Sequence, residues 1–157
     1  MILIIAYGNS LRRDDGAGLI LAQYLEEALR DRKLDVQRIA VHQLTPDLAL
    51  SVAADAVAAV VFVDTRVATA GDVRLDLRVQ PLGAEECAQS LGHHVGPAVV
   101  LTYARLLYDK SPPAWLLTAP GVDFDHGEGL SEEARRALDT LPAILRDLPS
   151  DWPLAAG

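Results

Sequence analysis

The chain has 157 residues, half of them hydrophobic and 23% charged, with a formal net charge of −8. That is enough for one domain with a real core. The acidic balance argues against a nucleic-acid binder, which would carry a basic face, and against docking on an anionic membrane.

"MILIIAYG" is apolar at consecutive positions, the pattern of a strand buried on both faces of a parallel sheet. It lacks a basic lead and a cleavage pattern and is too short for a signal-peptide core, and no apolar run is long enough for a membrane span. With one cysteine, Cys87, no internal disulfide can form, which fits a reducing cytoplasm. Cys87 lies in "GAEECAQ", among carboxylates that disfavour a thiolate, so it reads as structural or incidental and not as a nucleophile.

From Asp15 the spacing becomes helical, with Ala17, Ile20, Leu21, Tyr24, Leu25, Ala28 and Leu29 on one side. "LDVQRIAVHQL" reads as a second strand. "TPDLALSVAADA" reads as a short helix with Thr45 as N-cap and Pro46 at the first position. "VAAVVFVD" is another buried strand. In "VRLDLRVQPL", Val73, Leu75, Leu77 and Val79 alternate with charges, which predicts an antiparallel edge strand near 73–80. Pro97 to Tyr108 reads as a helix and "AWLLTAPG" as a last strand. "LSEEARRALDTLPAILRDL" reads as a helix opened at Ser131 and kinked or broken at Pro142. The alternation predicts a three-layer α/β fold, with one domain over 1–148 and a tail over 149–157.

In open α/β sheets ligands bind beyond the carboxyl ends of the strands. Asp14 and Asp15 follow the first strand there, Asp64 ends the third, and His93–His94 precede the helix at Pro97. Two carboxylates and an imidazole suit a divalent cation of the zinc or nickel kind. The plainer readings are a helix cap for the Asp pair, turn chemistry for Asp64 and a surface position for the histidines. No G-x-S-x-G, H-E-x-x-H or Walker loop is present. A receiver-type, magnesium-held phosphate site would need a lysine near a strand end, and the two lysines, Lys33 and Lys110, are poorly placed for it.

"AYGNSLRRDDGAG" resembles the opening G-x-G-N-x-L-x-x-D-[DE]-G-x-G of the [NiFe]-hydrogenase maturation proteases. "VVFVDTRVATAGDV" is similar to that family's hydrophobic strand ending in Asp, "GHHVGP" to its H-x-[LIV]-x-P segment, and "TAPGVDFDHGEGLSEEARRAL" to its last strand, glycine-containing loop and C-terminal helix. The resemblance implies a five-stranded, twisted, mostly parallel mixed sheet between helical layers. It implies an endopeptidase that trims the C-terminal extension of a hydrogenase large-subunit precursor. The resemblance also implies that the nickel is borne by that substrate and is contacted by Asp15, Asp64 and His93, with His94 as the neighbouring candidate. A metal-polarised carbonyl, a metal-activated water or an Asp general base are all open mechanisms.

Two positions depart from the pattern. Ala6 replaces the first glycine, and "HQLT", residues 42–45, stands where many members have D-G-G-T, so that His42 and Gln43 replace an acid and a glycine. The second departure admits another reading, a non-catalytic assembly factor that binds the nickel-loaded precursor without cutting it.

Overall fold

The structure is a computed structural model and describes residues 1–69, 72, 74–83 and 95–147. Its strands are β1 (Ile2–Tyr7), β2 (Val36–Val41), β3 (Ala59–Val67), β4 (Arg78–Leu82) and β5 (Ala114–Gly121). Its helices are α1 (Ala17–Asp31), α2 (Leu48–Val52), α3 (Pro97–Tyr108), α4 (Glu132–Leu138) and α5 (Leu141–Arg146). The strands form one sheet in the order β2-β1-β3-β5-β4. Neighbours among β2, β1, β3 and β5 are parallel, and β4 is antiparallel to β5. This is the expected mixed, mostly parallel five-stranded sheet. Among the described residues no helix is long and apolar enough to cross a membrane.

Two cores explain the continuous apolar runs. In β1, Ile2, Ile4 and Ala6 enter the core with α1, α4 and α5, while Leu3 and Ile5 enter the core with α2 and α3. In β3, Val61 and Val63 join the first core and Val60 and Phe62 the second. A strand covered on both faces has no position left for a polar residue until it reaches the sheet edge.

Several expected boundaries move. The third strand, expected to end at Asp64, runs on to Val67, because its pairing with β5 continues from Asp64 opposite Thr118 to Val67 opposite Gly121. The edge strand expected near 73–80 runs over Arg78–Leu82. Val73 lies outside the described residues, and 74–77 form no strand. The guanidinium of Arg66 donates to the Thr118 carbonyl at 3.3 Å and to the Asp76 carbonyl at 2.7 Å. A side chain, rather than a backbone ladder, therefore joins the two segments ahead of Arg78. Next, α2 starts at Leu48, because Thr45 and Pro46 form a turn whose carbonyls accept from the Leu48 and Ala49 N–H groups. Finally, the C-terminal helix divides. Ser131 caps α4, its Oγ accepting from the Ala134 N–H at 3.1 Å, and Pro142 sits in the first turn of α5, where a missing N–H is harmless.

The Asp14–Asp15 pair lies in a 3-10 turn, Arg13–Gly16, and neither side chain caps α1. The cap comes from β3, where Thr65 Oγ1 accepts the Gly18 N–H at 2.9 Å. A Cβ at residue 18 would lie 2.8 Å from the Asp64 carbonyl carbon, so the approach of α1 to β3 requires glycine.

Asp14 is fully buried. Its Oδ2 accepts the N–H groups of Val122 and Asp123 at 2.9 and 3.0 Å and the Ser131 hydroxyl at 2.6 Å. Its Oδ1 accepts the Ser131 N–H at 2.7 Å. Burial alone would raise its pKa, but these four bonds outweigh it and hold the carboxyl below the ordinary 3.8. A lowered carboxyl pKa contributes stability above about pH 4, lost as pH falls through the folded-state value. Asp14→Ala removes the acceptor for three backbone N–H groups, and the expected destabilisation is about 3 kcal/mol or more. Denaturant unfolding measured from pH 3 to 7 tests this: the variant should be weaker at neutral pH and should lack the part of the acid-induced loss that Asp14 supplies.

Candidate functional site

The site occupies the carboxyl edge of the parallel strands. On the face of the sheet toward α2 and α3, Tyr7 ends β1, and the β1–β3 register (Ala6 opposite Val63) carries it alongside Asp64. Asp64 is half-buried, and its Oδ1 accepts the Thr65 N–H at 2.7 Å. Asp15 is half-buried in the turn after β1, with its Oδ2 accepting the Asn9 N–H at 2.8 Å. Gly8 makes this compact. Its φ is +152°, and a Cβ there would lie 2.2 Å from the Asp15 carbonyl oxygen and 4.0 Å from the Asp15 carboxyl carbon.

Burial pushes the Asp64 carboxyl up from 3.8 to about 6. The Thr65 N–H and a hydrogen bond with the Tyr7 hydroxyl pull it down, and the Asp15 charge pushes it further up. The Tyr7 hydroxyl is raised as well, by burial and then by the Asp64 charge, so it stays a donor. The edge therefore holds two carboxyls close enough for one to act on the other. One of them is short of solvent and gains most from a cation. Both offer oxygen ligands.

His93, His94 and Cys87 lie outside the described residues. The following part of that segment is described: Val95 packs against the core of α2 and α3, Gly96 precedes α3, and Pro97 opens it. Among the described residues no group of three or more His, Cys, Asp or Glu is placed to hold a metal. The segment 42–45 borders the edge, because the Val41 carbonyl accepts the Gly8 N–H at 3.3 Å and exposed His42 and Gln43 follow. Neither lysine reaches it. Lys33 follows α1, and Lys110 follows α3 and bonds Asp55 at 2.8 Å, both on connections that lead into the amino ends of strands.

Reading the sequence alone missed Tyr7 and Thr65, and it read Ser131 as the start of a helix but not as a partner of Asp14. Tyr7 had a signal, as the one polar tip on the β1 run just before its glycine turn. The Thr65 and Ser131 bonds had none, since the partners lie 47 and 117 residues away.

No protein-family model matches the chain. No curated protein matches it. Solved structures do. The hydrogenase maturating endopeptidase HybD from E. coli aligns at 18% identity and a TM-score of 0.64, covering 93% of this chain and 92% of its own. The [NiFe] hydrogenase maturation protease HybD from Thermococcus kodakarensis aligns at 20% identity and 0.64, covering 92% and 96%. The maturation protease HycI from the same organism aligns at 19% and 0.63, covering 92% and 88%. Over nearly its whole length, the chain has the fold of these [NiFe] hydrogenase maturation proteases.

Proposed function

We propose that the chain is a cytoplasmic endopeptidase that removes the C-terminal extension of a [NiFe]-hydrogenase large-subunit precursor after nickel insertion. The observation that carries this reading is a desolvated Asp64 beside Asp15, at the carboxyl edge of a fold that solved maturation proteases share over 92–93% of this chain. The nickel is part of the substrate, and His93 joins the two carboxylates in contacting it. A desolvated carboxyl is costly to ionise without a partner, so Asp64 keeps its proton to higher pH than an ordinary carboxyl, and a cation releases it. The precursor's nickel supplies a Lewis acid at the scissile carbonyl. The chain's residues hold the precursor there, and a carboxylate of the pair that does not ligate the ion would be free to act as general base.

A second reading, an assembly factor that binds the loaded precursor without cutting, is favoured by the segment 42–45. Exposed His42 and Gln43 stand at the site edge where the resembled family has an acid and a glycine.

Asp64→Asn keeps the shape and removes the charge. Processing should be lost while the fold persists. The sign of the stability effect separates a site from a turn residue. A raised carboxyl pKa means that the folded wild type binds more protons than the unfolded chain between about pH 4 and pH 6. The wild type should therefore lose stability as pH rises through that window, by up to about 3 kcal/mol, since one extra bound proton is worth about 1.4 kcal/mol for each pH unit crossed. The variant should lack that loss and melt no lower than wild type at pH 7.5. A variant that unfolds, or that processes at the wild-type rate, returns Asp64 to turn chemistry.

Purified protein incubated with precursor carrying nickel, precursor lacking it and the isolated tail peptide tests the reading itself. Cutting of the loaded precursor alone is expected. Rapid cutting of either other form points to an ordinary peptidase, and tight binding of the loaded form without cutting supports the assembly factor.

A further inference from the structure

Asp15 and Asp64 lie far apart in sequence, yet one short stretch, Tyr7-Gly8-Asn9, holds both carboxyls. The Asn9 N–H donates to Asp15 Oδ2 at 2.8 Å. Two residues earlier, the Tyr7 hydroxyl donates to Asp64. The β1–β3 register sets that second contact. Ile5 lies opposite Phe62 and Ala6 opposite Val63, so the next step puts Tyr7 beside Asp64 on the adjacent parallel strand. Residues directly opposite each other face the same side of a sheet, on strands about 4.8 Å apart. Here that side is the one covered by α2 and α3, and Tyr7 packs on its core, which leaves the hydroxyl on a fixed arm.

Among the described residues Asp64 has one other donor, the Thr65 N–H at 2.7 Å. Thr65 is the next residue of the same strand and moves with Asp64. Tyr7 ties the carboxyl to a different strand, and that strand leads directly into the turn that carries Asp15. The stretch 7–9 is itself fixed, since the Gly8 N–H donates to the Val41 carbonyl at 3.3 Å. A carboxylate has about four lone-pair sites, so two donors leave room for an ion. Burial keeps the phenol protonated, which makes it a donor to the carboxylate and not a rival ligand.

We infer that Tyr7 is a positioning residue, which orients the Asp64 carboxylate at a set distance from Asp15 so that both meet one cation presented by a partner. The inference rests on the function proposed above and adds a residue that acts through Asp64 alone. The opening pattern G-x-G-N leaves position 7 open, so the resemblance assigns Tyr7 no role.

The test uses full-length protein and the folded precursor, with and without nickel, at pH 8, above the Asp64 value of about 6. Tyr7→Phe keeps the packed ring and removes the hydroxyl. Losing a hydrogen-bond partner of a ligating group typically costs 10–100-fold in metal affinity or activity. The preference for loaded over nickel-free precursor, read as the ratio of their Kd values, should fall by about tenfold or more, and kcat with it. The Kd for nickel-free precursor should not change, because no ion is there to be met. In an Asp64→Asn background, Tyr7→Phe should add nothing to the loss of preference. Tyr24→Phe removes the same hydroxyl from an exposed ring on α1 and should match wild type. An unchanged preference and kcat in Tyr7→Phe overturns the inference and leaves the protease reading intact. Equal weakening toward both forms of precursor also overturns it, since that is the mark of a merely structural residue. A wild type that cuts both forms alike overturns nickel recognition instead; a lower kcat in Tyr7→Phe then keeps the positioning role, and an unchanged one removes it. A wild type that neither binds nor cuts precursor overturns both.

Discussion

The four hydrogen bonds accepted by Asp14 tie the turn after β1 to a loop and a helix more than a hundred positions away in the chain. A buried carboxylate is tolerable only when its lone pairs are filled, and here they are filled by backbone donors and one hydroxyl. The bond network has a directional result. With Asp14 turned inward, the next residue of a tight 3-10 turn must face elsewhere, and Asp15 turns to the sheet edge beside Asp64. The acidic pair is one structural carboxylate and one available carboxylate.

The same division holds at β3. Asp64 and Thr65 are adjacent and point to opposite faces. Thr65 Oγ1 caps α1 and fixes the helix against the strand, which Gly18 permits by having no side chain. Asp64 faces the other way, toward Tyr7, and is left short of solvent. Its desolvation works against folding at neutral pH, and nothing in the packing requires a carboxyl at that place. A group kept at a cost to the fold is better explained by what it binds than by what it supports.

Much of this was legible in the sequence, for reasons that differ from element to element. The strands were readable because burial on both faces forces unbroken apolar runs, and β1 and β3 have them. The break at Pro142 was readable because the residue carries its own constraint. The start of β4 was not, since alternation over 73–80 records exposure and not pairing, and Arg66 replaces the ladder with its guanidinium. Asp15 and Asp64 were legible as candidates because carboxylates that follow an unbroken apolar run have few structural uses, although β3 itself continues past Asp64 to Val67. Their separate roles from Asp14 and Thr65 were not, because those roles depend on partners tens to hundreds of positions away.

On the proposed function, the chemistry of the edge bears on how a protein of net charge −8 could read a cation held by a partner. Two carboxyls, one of them desolvated, make a poor trap for a free hydrated ion, which must shed water for few ligands. An ion already stripped of water inside another protein has met that cost, and the carboxyls need only complete its shell. On the proposed function, such a site discriminates through an unmet charge. Near neutral pH Asp64, with a pKa of about 6, is largely ionised yet short of solvent, and a presented cation supplies the partner it lacks. The discrimination then depends on docking geometry, because only a partner seated well enough to bring its ion to within ligand distance of both carboxylates can satisfy them. Rigid hydrogen bonding of the surrounding loops by Asp14, Asn9 and Thr65 is what makes that distance a fixed requirement.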